Sequence, residues 1–170
     1  MTRETLILAF RFVFLVLLQT LLLNNIYFFG YINPNLYILF VFLYPIKTKR
    51  SLFLVVSFLL GLSIDLFSNT GGLNAAATLL SAYVRFPILK LILNSKDTDF
   101  KFFNLNQEPF LKVISYVAIL TFIHHLSLFS LEYFNIKEIR TIFHKTTTNS
   151  IFTILLIIIS IYLTKKKSNN

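Results

Sequence analysis

Three side chains that could do chemistry, Asp65 and the pair His124-His125, stand inside otherwise apolar runs. Adjacent residues on a helix point to different faces, so the two histidines do not form a chelating pair. His125 and Glu132 do share a face, but two ligands are too few for a metal. Helix-to-helix hydrogen bonding, or a position at an interface, is the expected role of both rings. The sequence has no Gly-x-x-x-x-Gly-Lys phosphate loop, no Gly-x-Gly-x-x-Gly turn and no serine nucleophile turn. It also has no cysteine, which removes thiol chemistry, disulfides and iron–sulfur clusters. No catalytic residue, metal or cofactor is expected, and the chain reads as a non-enzyme.

Asp65 belongs to the most informative stretch, which runs from Gly61-Leu62-Ser63-Ile64-Asp65-Leu66 through Gly71-Gly72-Leu73-Asn74-Ala75-Ala76-Ala77. Ser57, Gly61 and Asp65 are spaced by four and so share one helix face. Small residues on a membrane helix let a second backbone come close. Gly71, Ala75, Ala77, Thr78, Ser81 and Ala82 supply the answering surface, and a close hairpin about a turn at 68–72 is expected. A carboxylate within a span has a partner by rule. The first amides of the next helix, near Leu73 and Asn74, are unpaired and carry the positive end of its dipole. Asp65 is therefore expected to cap them, in preference to holding an ion or a substrate.

The elements that must position these residues follow from composition. Of 170 residues, 56% are hydrophobic and 14% charged, where a soluble domain carries about a quarter charged. Mean hydropathy is +0.73. Such a chain needs lipid as part of its solvent, and its length suits one integral membrane domain over 1–170. A span takes about 20 apolar residues. The expected fold is an all-α polytopic transmembrane helix bundle of about six spans, at 6–23, 35–46, 52–67, 73–86, 113–131 and 147–163. The second is short, broken at Asn33-Pro34 and ended at Tyr44-Pro45, and reads as either a thin helix or a re-entrant segment. The first span has no small-residue cleavage site after it, at Asn24-Asn25-Ile26-Tyr27, and reads as a retained anchor.

Charge gives the orientation. The net charge is +9, and its positive residues cluster between apolar runs rather than on one solvated face, which argues against nucleic acid. With six spans and both ends inside, Arg3, Arg11, Lys47, Lys49, Arg50, Lys90, Lys96, Lys101, Lys112 and Lys165-Lys166-Lys167 are cytoplasmic, leaving Lys137, Arg140 and Lys145 outside. With five spans Arg3 and Arg11 move outside and the bias weakens without reversing, so six is favoured by those two arginines. Arg11 and Arg85 then lie toward the cytoplasmic half and are expected to snorkel to phosphates. Arg85-Phe86-Pro87 is expected to mark the end of the fourth span, with residues 88–93 lying along the interface.

The central stretch resembles the bacterial rod shape-determining MreD family. Gly61, Asp65, Leu66, Gly72, Leu73, Ala75, Ala82 and Tyr83 match its pattern of Gly-x-x-x-Asp-Leu, a Ser/Gly turn, Gly-Leu-x-Ala and a closing Ala-Tyr. The motif covers about Ser57 to Arg85, while length, span number and basic tail agree over the whole chain. Its Asn-rich first loop and charged 94–109 loop depart from the pattern. The resemblance implies an inner-membrane scaffold of the wall-elongation machinery, similar in fold to the substrate-binding subunits of energy-coupling-factor transporters. It implies MreC, MreB, RodA and a class B penicillin-binding transpeptidase as partners, besides membrane lipid. The alternative is the substrate-binding subunit of a vitamin-type importer, with a polar cavity about Asp65, Asn69 and Asn74.

Two loops are candidate partner surfaces. Ile136, Ile139, Ile142 and Phe143 recur at helical spacing among Lys137, Glu138, Arg140 and Lys145, which reads as an amphipathic helix on the outer leaflet or a docking surface through Lys137 and Arg140. On the other side, Phe102 and Phe103 lie among Lys96, Asp97, Asp99 and Lys101, a solvated loop that can also offer an aromatic contact.

Overall fold

The first apolar run, free of proline and glycine, forms α1 (Arg3–Leu17). It continues as one π-helical turn, Leu18–Leu22, and one 3-10 turn, Leu23–Asn25. A 3-10 turn, Leu36–Ile38, leads into the very short α2 (Leu39–Leu43). Then come α3 (Arg50–Ser68), α4 (Leu73–Leu93), α5 (Phe110–Tyr133) and, after a 3-10 turn at Ile136–Glu138, α6 (Ile139–Thr164). This computed structural model describes residues 3–26, 30, 32–93 and 108–164, and among them there is no β-strand. Phe102, Phe103 and Lys165–Lys167 lie outside the described residues.

Five stretches are long and apolar enough to cross a membrane: Arg3–Asn25, Arg50–Ser68, Leu73–Leu93, Phe110–Tyr133 and Ile139–Leu163. Their outer faces are apolar, with Leu6, Phe10, Val13 and Leu21 on α1 and Leu66, Leu91 and Leu163 on later helices all exposed. A water-soluble surface does not show such continuous apolar faces, and lipid accepts them. The chain is a helical bundle of membrane-spanning character.

Polar contacts give the order and direction of the helices. Asn24, at the end of α1, bonds Ser68, at the end of α3, so these two run parallel. The start of α4 shares Tyr37 with His124, far along α5, while Arg85 late in α4 meets Tyr116 early in α5. Those two run antiparallel. Glu132 and Lys145 pair across the α5–α6 turn at 3.6 Å. Arg3, Lys47, Lys49, Arg50, Lys90 and Lys112 thus gather at one end, and Lys137 and Arg140 at the other.

The second crossing is neither a full span nor a loop at the surface. Tyr37 sits at the level of Asn74 and Tyr44 at that of Arg85, so the segment descends beside α4 through the bundle. Tyr37, Ile38, Phe40, Val41 and Phe42 are all fully buried, at the centre of a core shared with Leu60, Leu120 and Ile157. The run is apolar throughout because protein surrounds it on every side.

Two other expectations are corrected. The fourth helix does not end at Phe86: α4 passes through Pro87 to Leu93, so residues 88–93 do not form a separate interfacial stretch. One missing amide does not stop a helix whose next turn is anchored by a fully buried Leu89. Nor does 136–143 form a surface helix of its own, because from Ile139 it is the beginning of α6. Exposed Ile139 and Phe143 belong to the outer face of that helix.

Candidate functional site

Gly61 sets the α3–α4 approach. A Cβ placed there would stand 2.5 Å from the Asn74 carbonyl oxygen and 2.6 Å from Ala75 Cα. The two backbones are therefore in direct contact, as only glycine allows. Ser57, Asp65, Ala75, Ala77, Thr78, Ser81 and Ala82 are buried around it. Gly71 is not part of this face: it is exposed in the turn, where its φ of +62° and the +94° of Gly72 are the requirement for glycine.

Asp65 joins the two helices twice. Its carbonyl accepts the amides of Asn69, which is left-handed at φ +53°, and of Thr70, and so closes α3. Its carboxylate opens α4. Oδ1 accepts the Asn74 amide at 3.0 Å and Oδ2 the Ala75 amide at 2.8 Å. The Thr70 hydroxyl and Asn74 Nδ2 also donate to Oδ1. A negative charge placed on the first free amides of a helix interacts favourably with its dipole.

Asn74 carries this cluster inward. With Nδ2 engaged by Asp65 and Thr70, its Oδ1 accepts from the Tyr37 hydroxyl at 3.0 Å. The same hydroxyl lies 2.9 Å from His124 Nε2. His125 donates from Nδ1 to the Thr121 carbonyl at 2.9 Å, and its Nε2 faces the Thr153 hydroxyl at 3.4 Å. Both rings are fully buried: His124 reaches the 36–38 turn, and His125 faces α6 through Thr153. Glu132 is remote from them in function, paired instead with Lys145. Among the described residues no group of three or more His, Cys, Asp or Glu could hold a metal ion.

No family model, curated protein or solved structure matches the chain.

Arg85 is the main correction at this site. It does not snorkel, because its side chain is only 2% exposed. Nε donates to the Tyr116 hydroxyl at 2.9 Å, and one terminal nitrogen donates to the carbonyls of Phe42 at 3.3 Å and Tyr44 at 2.7 Å. The guanidinium lies over the Phe53 ring, 5.0 Å from its centroid. These partners explain the burial. The last carbonyls of α2 have no helical acceptor role left inside the bundle, and a cation at a helix C-terminus both pairs them and complements the dipole.

The opposite end of that segment is held by side chains the sequence reading passed over. Gln19 turns inward at the π-helical turn of α1, accepting the Tyr37 amide at 3.3 Å and donating to the Pro34 carbonyl at 3.1 Å. From α6, Asn149 accepts the Asn33 amide at 2.9 Å and Thr153 the Asn35 amide at 3.1 Å. Irregular backbone at membrane depth survives only when protein satisfies it in this way. A signal was present: Gln19 is the one polar side chain between Thr5 and Thr20 apart from Arg11, and Thr146, Asn149, Ser150 and Thr153 fall on one helical face.

Lys137 and Arg140 are exposed at the α5–α6 end. Lys145 is folded back, 4.8 Å over the Tyr133 ring, and does not join them.

Proposed function

We propose that this chain is a non-enzymatic membrane scaffold of the bacterial cell-elongation machinery, binding an MreC-like partner and thereby helping to position lateral wall-synthesis enzymes. The reading rests on the resemblance to the MreD family carried by Gly61 to Tyr83. One observation supports it: Gly61, Asp65 and Ala75, three of the residues carrying that resemblance, form a single unit in which glycine seats the helices and aspartate joins them. A motif whose parts act together in packing fits a protein that works by presenting helix faces. MreB, RodA and a class B penicillin-binding transpeptidase are the other proposed partners, in a bacterial inner membrane with both chain ends cytoplasmic.

The importer reading places its polar cavity around Asp65, Asn69 and Asn74. The Asp65 carboxylate is engaged there by four donors and the Asn74 side chain by Asp65, Thr70 and Tyr37, so the scaffold is favoured. The test is complementation. Expression of this chain in rod-shaped cells depleted of their own MreD should restore rods and co-purify the MreC-like protein. Round cells with the chain present in the membrane, and no such protein captured, would refute the scaffold role.

A further inference from the structure

Arg50 opens α3 at the basic end of the bundle, and its side chain lies along α4. The guanidinium stands over two rings there, 4.9 Å from the Tyr83 centroid and 6.0 Å from that of Phe86. Stacking of this kind holds the planar group by its face and leaves the N–H donors around its edge unengaged. Arg85 also stacks on a ring, but it spends its donors on the Tyr116 hydroxyl and two carbonyls. Arg50 spends none: among the described residues it has neither an ion pair nor a hydrogen bond from its side chain, and it is exposed.

An apolar groove runs inward from this cation. Arg50, Leu54 and Phe58 are spaced by four along one side of α3, and Phe86, Tyr83 and Leu79 follow one another along one side of α4. Two contacts place these rows against each other, Arg50 on Tyr83 and Phe86 at one end and Gly61 on Ala75 at the other. The floor is partly covered and the rim is open, with Phe58 39% and Tyr83 56% exposed. A tyrosine at the polar edge of an apolar face suits the depth of lipid headgroups.

Charge decides what covers the groove. The described carboxylates at this end are Glu4 and Glu108, and Glu108 is paired with Lys112 at 3.7 Å. Arg3, Lys47, Lys49 and Arg50 outnumber what remains, so this end attracts anions. The occupant that brings a negative group to Arg50 and an apolar chain to Leu54, Phe58 and Leu79 at once is a lipid. A guanidinium edge matches the oxygens of a phosphate in pairs.

We propose that the α3–α4 groove seats one anionic phospholipid of the adjoining leaflet, its phosphate on the Arg50 guanidinium and an acyl chain between Phe58 and Tyr83. The site rests on the membrane-spanning character of the chain and not on the scaffold reading.

The full-length protein in detergent provides the test. It is titrated with phosphatidylglycerol, or with phosphatidylcholine of the same acyl chains, and native mass spectrometry counts the chains that carry one lipid. Phosphatidylglycerol should bind at least about fivefold more tightly than phosphatidylcholine. Arg50→Gln should weaken phosphatidylglycerol at least about fivefold, and Tyr83→Leu about threefold through loss of the platform. Arg3→Gln removes the same charge from the same end and should stay within about twofold. If Arg50→Gln melts well below the parent, Arg50→Lys replaces it, keeping the charge without the planar fork, and should lose about threefold. Equal binding of the two lipids, equal losses in the Arg50 and Arg3 variants, or no loss in the Arg50 variant would each overturn the proposal.

Discussion

The Asp65 carboxylate collects four donors, two of them the first amides of α4. Asparagine at this position keeps one acceptor oxygen, whereas leucine keeps none. Asp65→Asn should cost about 1–3 kcal/mol and leave most of the protein in the membrane. Asp65→Leu should lose far more, and equal membrane abundance of the two variants would count against the cap. Arg85 makes a similar case with the opposite charge. Lysine cannot reproduce the planar fork that reaches Tyr116 and two carbonyls together. Arg85→Met should leave the Phe42 and Tyr44 carbonyls unpaired at about 1–3 kcal/mol each. Arg85→Lys should fall between the two, as read by melting in detergent. An interfacial arginine would show almost no difference.

Helix packing concentrates on a few small side chains. Gly61→Ala drives a methyl into the Asn74 carbonyl and should destabilise by about 1–3 kcal/mol or more. Gly71 has open space around it and only a left-handed φ to satisfy, so Gly71→Asn should be milder, and thermal midpoints of the two variants check the order. The α3–α4 hairpin was legible in the sequence because spacing by four and a carboxylate before a Gly-Gly turn are local signals. The position of Arg85 was not. An arginine beside a proline suits both a helix end and a buried clamp, and the carbonyls that decide between them belong to a segment some 40 residues earlier. That segment was itself ambiguous, since a run apolar on every side has no period to read. The histidines lay between these cases: their separate faces followed from adjacency, but their partners Tyr37 and Thr153 did not.

For the molecule as a whole, the distribution of basic residues is the strongest guide to orientation. The chain has no cysteine, so single substitutions report topology cleanly. Cysteine at Lys47 should react with an impermeant maleimide only after the membrane is opened, and cysteine at Lys137 should react in intact cells. The reverse pattern would invert the assignment of both ends. Lys137, Arg140 and Phe134 are all exposed near the α5–α6 turn. On the proposed scaffold role, reversing both charges should weaken capture of an MreC-like extracytoplasmic partner without lowering membrane abundance, and intact capture would count against docking through these residues.

The second crossing is tied to α1 by Gln19, to α4 by Arg85 and to α6 by Asn149 and Thr153, the last two 116 and 118 residues further along. A nascent chain emerging from the ribosome can thread its first helix into the bilayer at once. Two amides of its second passage, those of Asn33 and Asn35, gain their acceptors only once its final helix has been synthesised. During that interval the backbone amides of Asn33 and Asn35 await their acceptors, so maturation of the N-terminal third is timed by the C-terminal third. Translation, in effect, delivers the keystone early and the arch late.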